Sequence, residues 1–262
     1  MNLFLETLRL ILLTIYYHLE ALIKLLIPLK KKDVSGEIVL ITGAGHGIGR
    51  LMALEFATLD VSLVLWDINV DGLKETARQV RDKGASKVHY YECDCSDRAM
   101  VYRVADQTYK AFLPAMTAKN HGHLVSVASS AGLTGVNGLA DYCASKFAAV
   151  GFAESVALEL MGEGKDGVKT TIVCPYFINT GMFDGCKTKW PRLLPILDPD
   201  YVAKMIVNAI LTDQVYVLLP KSLYVLIALK GLVPYKQSVI LSVYFGAFNF
   251  MDAFKGREKK QD

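Results

Sequence analysis

Five residues with a strand-like apolar pattern, Ile38–Thr42, run straight into Gly43-Ala44-Gly45-His46-Gly47-Ile48-Gly49, and no other stretch so narrows the choice of fold. A strand that enters a turn with glycine at every second position, and then starts a helix, aims several backbone N–H groups at one point in space. Gly43 and Gly47 permit the tight turn and a close approach from outside, and Gly49 lets the new helix pack on the strand it has just left. Alone such a turn is a weak signal, but its surroundings strengthen it. Apolar runs recur at Val61–Trp66, Val88–Cys93, His123–Ala128, Thr170–Cys174 and Val215–Leu218, and helical patterns begin near Ile48, Gly72, Asp97, Ala140 and Pro199. This alternation predicts an α/β fold with a doubly wound parallel sheet. Most of the runs are nearly continuous in Val, Ile and Leu, as strands buried on both faces should be.

Two carboxylates stand where a nucleotide on that turn would need them. Asp67 closes the second run 18 residues after Gly49, where a carboxylate accepts both hydroxyls of a ribose. The same charge repels a 2′-phosphate, and the next residues are Ile68 and Asn69 rather than an arginine. NAD is therefore expected in preference to NADP. Asp94, with Cys95 beside it, ends the third run, where a carboxylate meets an adenine edge.

Further along, Tyr142-Cys143-Ala144-Ser145-Lys146 puts a phenol and an ammonium at i and i+4, on one helix face. A nearby ammonium, together with a cationic nicotinamide, lowers a phenol's pKa from about 10 towards the working pH. Tyr142 can then take an alcohol proton while hydride leaves. Ser129, at the end of the run His123–Ala128, would orient the reacting oxygen by hydrogen bond, with Ser130 its immediate competitor.

Together these residues resemble the short-chain dehydrogenase/reductase family of the Tyr-x-x-x-Lys type. Its pattern T-G-x-x-x-G-x-G…S…Y-x-x-x-K is matched at Thr42–Gly49, Ser129, Tyr142 and Lys146. Pro175-Tyr176-Phe177-Ile178-Asn179-Thr180-Gly181 resembles the family's proline-led loop that folds over the nicotinamide. By that likeness Ile178 offers backbone to the carboxamide and Thr180 its hydroxyl. The N-terminal segment and stretches such as Gly36–Gly49 and Gly138–Ala157 are most similar to the epidermal retinol dehydrogenase group, whose relatives include lipid-droplet 17β-hydroxysteroid dehydrogenases. The resemblance implies a Rossmann-type fold and NAD-dependent oxidation of a lipophilic alcohol, retinol first and a 17β-hydroxysteroid second. It assigns catalysis to Ser129, Tyr142 and Lys146, with Ser129 touching the substrate. It assigns the cofactor to Thr42, Gly43, Gly45, His46, Gly47, Ile48, Gly49, Asp67, Asp94, Cys95, Pro175, Ile178 and Thr180, together with Tyr142 and Lys146. In families like this the helix carrying the tyrosine commonly forms a homodimer face.

One block of the pattern is missing. Between Asp94 and Leu124 lie only 29 residues, whereas a helix, a strand and a second helix with their connections need about 40 to 45. Neither the family's Asn-Asn-Ala-Gly turn on the fourth strand nor the catalytic Asn of the following helix is found. Residues 97–119 read as a single helix, with Val101, Ala105, Phe112 and Met116 at partial helical spacing and a join near Gln107–Tyr109. The sheet is thus expected to lack its fourth strand. Its two inner edges would then carry unpaired backbone groups at about 1–3 kcal/mol each, against a total stability of about 5–15 kcal/mol. Alternatively, Ile38–Thr42 and His123–Ala128 slide together by one strand spacing, about 4.8 Å. That shift would move Tyr142 relative to the cofactor, where about 1 Å can cost roughly a hundredfold in rate. Either outcome disfavours normal turnover, and a catalytically impaired, membrane-associated relative is the alternative reading.

The ends of the chain point to a membrane. Residues 3–29 are rich in Leu, Ile and Tyr and stop at Lys30-Lys31-Lys32, with no charge-free run of the roughly 18 residues a spanning helix needs. Glu6, Arg9, Glu20 and Lys24 fall within an arc of about 60° at helical spacing, a narrow polar stripe suited to an anchor lying in the interface. A tilted span and a cleaved signal are the lesser options. The lysine triplet predicts a catalytic domain facing the cytosol, on the endoplasmic reticulum membrane or a lipid droplet. Overall the chain is 52% hydrophobic with a mean hydropathy of +0.30, and 21% charged residues argue against disorder. Its +3 charge comes mainly from two terminal basic runs without interleaved aromatics, so nucleic acid is not an expected partner. The five cysteines make no disulfide framework, and Cys93 and Cys95 have no second Cys/His pair nearby to hold zinc. The organisation expected is an anchor at 1–32, a dehydrogenase domain at 33–220 shortened between 95 and 123, and an apolar tail at 221–262. That tail reads as a lid over a lipophilic substrate, a second membrane contact or domain-closing core.

Overall fold

The computed structural model describes residues 3–27, 29–94 and 112–255, and the chain divides into two compact units, 1–33 and 34–262. The first unit is the helix α1 (Leu3–Leu26) and the few residues after it. Large apolar side chains stand exposed along it, from Leu3 and Phe4 to Ile23. Its polar side chains fold back on its own backbone: the Thr7 and Thr14 hydroxyls donate to the carbonyls of Leu3 and Leu10 at 2.8 Å, and His18 Nδ1 lies 2.7 Å from the Thr14 carbonyl. Such i−4 bonding hides polar groups that would otherwise face apolar surroundings. Among the described residues no helix is long and apolar enough to cross a membrane.

In the second unit, β1 (Ile38–Thr42), α2 (Gly47–Phe56), β2 (Ser62–Asp67), α3 (Val70–Asp82) and β3 (Lys87–Glu92) build a parallel sheet of order β1-β2-β3. A second parallel sheet, β4-β5-β6, is built from β4 (Gly122–Val127), β5 (Val168–Pro175) and β6 (Tyr216–Leu219). Its helices are α4 (112–119), α5 (Ala140–Gly162) and α6 (Pro199–Leu211), and α7 (Ser222–Leu232) and α8 (Tyr235–Tyr244) follow. Helix starts carry recognisable signals: Asn69 Oδ1 caps α3 by accepting from the Gly72 N–H at 2.8 Å, and Asp198 caps α6 ahead of Pro199. All six strands lie within two residues of the apolar runs that predict them.

One core ties the two sheets together. It joins Ile41, Leu63 and Leu65 of the first to Val173, Val217 and Leu219 of the second, under α2, α3 and α6. On the opposite face of the second sheet, Val150 and Ala153 of α5 cover Ala128, Ile172 and Cys174.

Two expectations need correction. The sheets do not slide into one: among the described residues β1 pairs only with β2 and β4 only with β5. Nor are the apolar strands uniformly buried. Leu63 and Leu65 on β2 and Val173 and Cys174 on β5 are at 0%, whereas Ile38 on β1 is 65% exposed and Val127 on β4 is 41% exposed. β2 and β5, flanked by partners on both sides, each carry fully buried side chains, whereas β4 buries none and β1 only Ile41. Near the amino ends of β1 and β4, His121 Nε2 sits 2.7 Å from Glu37 Oε1, a side-chain bridge between the two strands' leading ends. Of the helix expected over 97–119, residues 112–119 are helical and the rest lies outside the described residues, as does Cys95.

Candidate active site

The glycine turn is held from behind by two helices. Gly43 and Gly47 adopt left-handed φ values of 67° and 55°, which only glycine takes without strain. A methyl group on Gly49 would collide with the Gly43 carbonyl, and one on Gly72 would stand 2.5 Å from the Gly45 carbonyl, so α2 and α3 both press on the turn. Arg50 locks this arrangement: Nε donates to Thr76 Oγ1 at 2.9 Å, and Nη2 donates to the carbonyls of Gly72 at 3.2 Å and of Gly45. The buried Thr76 hydroxyl reaches the Ala44 carbonyl at 2.8 Å. Sequence reasoning missed both residues. The one available signal was a threonine on the buried stripe of α3, between Leu73 and Val80.

Asp67 lies almost wholly buried at the end of β2. Its Oδ2 accepts from the Gly45 N–H at 2.8 Å, its Oδ1 accepts from the Asn69 N–H at 3.0 Å, and His46 Nδ1 stands 3.4 Å away. The carboxylate therefore organises the turn as well as facing its mouth. At the start of α2, His46 makes no side-chain cap and the first turn holds no acidic residue. The helix thus presents N–H groups without side-chain partners to whatever lies ahead of them. The Cβ positions of Gly43 and Gly47 have nothing within 4 Å. An open, donor-lined cradle of this kind fits a pyrophosphate. Thr42 ends β1 and Ile48 packs against the core. Asp94 follows β3, whose neighbouring Cys93 N–H donates to the Asp67 carbonyl at 2.9 Å.

In the second sheet, Ser129 follows β4, and the turn after it packs tightly on α5. A methyl group on Gly132 would stand 2.6 Å from the Lys146 carbonyl, so backbone contact fixes Ser129 relative to the helix that carries Tyr142 and Lys146. The Ser129 side chain accepts from the Ala131 N–H at 3.2 Å, lies 3.5 Å from the Pro175 carbonyl and acts on the Tyr142 phenol by pulling its pKa down. Lys146 Nζ stands over the Tyr142 ring, 5.6 Å from its centroid, and donates to the Val127 carbonyl at 3.5 Å.

The expected lowering of the Tyr142 pKa by Lys146 is not what this geometry gives. Burial pushes the phenol above its ordinary value, with the Ser129 hydrogen bond pulling partly back, and burial pushes Lys146 below its own. Desolvation penalises both charged forms, and the ammonium faces the ring rather than the phenolic oxygen.

Beside Tyr142 stands an aromatic wall. Phe183 meets Tyr142 edge-on at 5.6 Å, Phe177 meets Phe183 at 5.0 Å, and Phe250 closes on Phe177 at 5.6 Å. These rings come from the loop after β5 and from the tail, so only the folded chain brings them together. In that loop Ile178 bridges to Leu197 and its carbonyl accepts from the Thr180 N–H at 2.8 Å. Pro175 ends β5, and its neighbours Tyr176 and Ile178 pack on the same core cluster as Ala44. Ser129, Tyr142, Lys146 and Pro175 are thus gathered in one sheet and the glycine turn and Asp67 in the other, all at carboxyl ends of strands, where open α/β sheets bind ligands.

A parallel α/β sheet with a glycine turn after β1 and a Ser-Tyr-Lys set after β4 and on α5 defines a recognisable class, and comparison with known proteins agrees. The family model described as short chain dehydrogenase matches residues 37–112 and 107–189, two pieces that overlap at 107–112. Epidermal retinol dehydrogenase 2 of Mus musculus is 49% identical over 92% of this chain and 93% of its own length. The 17-beta-hydroxysteroid dehydrogenase 13 of Homo sapiens is 39% identical over 92% of this chain and 94% of its own length. The fold is similar to that of a short chain dehydrogenase/reductase from Burkholderia phymatum solved in complex with NAD, with a TM-score of 0.64, 23% identity, and coverage of 80% of this chain and 96% of that one. The chain belongs to the short chain dehydrogenase family. The alignment with the mouse protein runs over 286 positions yet takes in 92% of 262 residues, about 241, so about 45 positions of that relative have no counterpart here.

Proposed function

We propose that this chain is built to oxidise a lipophilic alcohol with NAD at a membrane or lipid-droplet surface, retinol being the first candidate and a 17β-hydroxysteroid the second. The observation that carries this reading is the Ser129–Tyr142–Lys146 set, fixed by the Gly132–Lys146 backbone contact and with Lys146 Nζ over the Tyr142 ring, next to the wall of Phe177, Phe183 and Phe250. The names of two relatives, one a retinol dehydrogenase and one a 17-beta-hydroxysteroid dehydrogenase, support the same substrate class.

The roles follow from chemistry. On this reading the donors of the glycine turn (Thr42 to Gly49) and of the α2 start would hold the pyrophosphate, Asp67 would take the ribose hydroxyls, Asp94 would meet the adenine, and Pro175, Ile178 and Thr180 would meet the nicotinamide. When bound, NAD supplies the hydride acceptor. Ser129 Oγ holds the alcohol oxygen, Tyr142 in its phenolate form accepts the alcohol proton at Oη and becomes the neutral phenol, and Lys146 stabilises the phenolate before that transfer. Because burial holds Tyr142 above its ordinary pKa, its base form grows as pH rises, and oxidation should speed up from neutral towards alkaline pH. Membranes bearing the protein should reduce NAD with retinol, and Tyr142→Phe should abolish the rate. Equal rates in the two proteins would reject the assignment.

A second reading is favoured by the separation of β1 from β4, the two-piece family match and the roughly 45 unmatched positions. On this reading the family's fourth strand and its catalytic Asn are absent, and the chain is a catalytically impaired relative that keeps at most partial NAD binding. It predicts little or no thermal stabilisation by NAD. A sharp cooperative melt, raised by NAD on the order of tens of micromolar, would overturn it.

For attachment, α1 lies in the interface with Lys30, Lys31 and Lys32 at the headgroups, which puts the catalytic domain on the cytosolic side of the endoplasmic reticulum or of a lipid droplet. Removal of residues 1–30 should weaken membrane attachment. The exposed Phe147, Phe152, Leu158 and Met161 of α5 offer a homodimer face.

A further inference from the structure

We infer that residues 187–196 and the α7–α8 pair form a second lipid-docking surface, selective for anionic headgroups, which sets the rim of the active site against the bilayer. The docking stands on its own observations. Its purpose, delivery of an apolar alcohol from lipid to Tyr142, rests on the substrate class proposed above.

Charge is the first observation. Stretches 185–197 and 214–251 contain Lys187, Lys189, Arg192, Lys221, Lys230 and Lys236 and not one Asp or Glu. At the chain's own frequency of 26 acidic residues in 262, such lengths would hold about five. Lys230 is already engaged by the Leu133 carbonyl at 2.7 Å; the other five cations are exposed.

The second observation is apolar exposure on two consecutive helices. α8 buries no residue and α7 buries only Leu223. Val225, Leu229 and Leu232 lie at i, i+4 and i+7 on one face of α7, and Lys236, Ile240, Val243 and Tyr244 share one face of α8 at i, i+4, i+7 and i+8. Leu232 and Tyr235, at the turn between the helices, are each 83% exposed. Large apolar side chains left exposed along two consecutive helices mark an interaction site rather than ordinary surface.

The third observation is that loop and helices are built as one unit. Trp190 stacks on Tyr244 at 5.3 Å and donates its Nε1–H to the Tyr244 carbonyl at 3.0 Å. Lys189 Nζ lies 6.0 and 5.6 Å from those two ring centroids. At the other end, the Ser222 hydroxyl donates to the Leu193 carbonyl at 2.6 Å. Tryptophan and tyrosine flanked by lysines and backed by exposed Leu and Ile is the arrangement that settles at the headgroup level. A second copy of the chain would oppose these cations with its own, so charge complementarity selects an anionic lipid surface.

The chain supplies its own probe, since Trp190 and Trp66 are its two tryptophans. The full chain is reconstituted with phosphatidylcholine vesicles bearing brominated acyl chains, with and without phosphatidylserine, and the Trp66 background is subtracted with the Trp190→Phe protein. Trp190 emission should lose about half or more of its intensity on phosphatidylserine vesicles and much less without that lipid. The triple change Lys187→Gln, Lys189→Gln and Arg192→Gln should abolish the difference, with roughly fivefold weaker surface binding per cation removed. If the chain sediments with the vesicles and Trp190 stays bright, this surface does not touch lipid, while the α1 anchor stands. Quenching indifferent to phosphatidylserine and to the triple change would overturn the anionic selectivity, and concentration-dependent dimerisation that shields Trp190 would assign the surface to a second copy. No turnover enters any of these readings, so they succeed or fail apart from the dehydrogenase assignment.

Discussion

In the first half of the sheet, β2 runs between β1 and β3 with Leu63 and Leu65 fully buried, and its carboxyl end closes on a turn braced by Arg50, Thr76 and Asp67. In the second, β5 runs between β4 and β6 with Val173 and Cys174 fully buried, and the neighbouring β4 leads into Ser129, held against the helix of Tyr142 and Lys146 by the Gly132 contact. Each half therefore has its own centre and its own chemistry, one shaped for a nucleotide and the other for moving a proton. They differ from the parent architecture only where they meet. There β1 and β4 keep the apolar composition of central strands but are exposed in part, and among the described residues no backbone hydrogen bond joins them. Local βαβ packing holds each half together without a backbone ladder between β1 and β4 among the described residues. The relative position of the two half-sites does not carry the same guarantee, because it rests on side-chain packing.

The comparison is broken most forcefully by lengthening the link between the halves. Inserting at 107–109 the roughly 45 positions of the mouse relative that have no counterpart here should raise turnover with retinol by about a hundredfold or more, since roughly that much rate is lost to a misplacement of about 1 Å. An unchanged rate would mean that the gap between the halves is not what limits the chemistry. A smaller effect is expected from Gly49→Ala, which drives a methyl group into the Gly43 carbonyl. Overpacking of this kind costs about 1–3 kcal/mol. The melting temperature should drop by several degrees and any response to NAD should vanish, while the Ser129–Tyr142 half keeps its packing, as read by Tyr142 ring signals in NMR. The smallest effect belongs to His121→Ala. The His121–Glu37 bridge crosses the gap but its side chains are 67% and 46% exposed, and exposed pairs contribute about 0–1 kcal/mol. A melt that broadened or split in this variant would show the bridge to be a main tie between the halves.

Much of this was legible in the residues, for reasons that differ from element to element. The six strands could be read because parallel strands are written as apolar runs, and the Tyr142–Lys146 spacing because i and i+4 share a helix face whatever surrounds them. Arg50 and Thr76 could not be read, because their function depends on which side of α2 and α3 meets the turn. Phe177, Phe183 and Phe250 are separated by up to 73 positions, and only tertiary packing makes one wall of them. At Tyr142 the sequence displays the neighbouring ammonium and hides the desolvation that pushes the phenol up in the chain by itself. For the tail, three roles were open. The fold buries Phe250 against the site while leaving the α7–α8 turn bare, so parts of one segment serve different ends.

Residue-resolved amide hydrogen exchange on the full chain addresses the divided sheet directly. If the halves are separate, amides of β1 and β4 that point into the gap should exchange at least about a hundredfold faster than those of β2 and β5, because unpaired edge groups open without global unfolding. Uniform protection across all four strands, from Val39 through Val173, would mean that a continuous ladder joins them and that the two halves are one sheet after all.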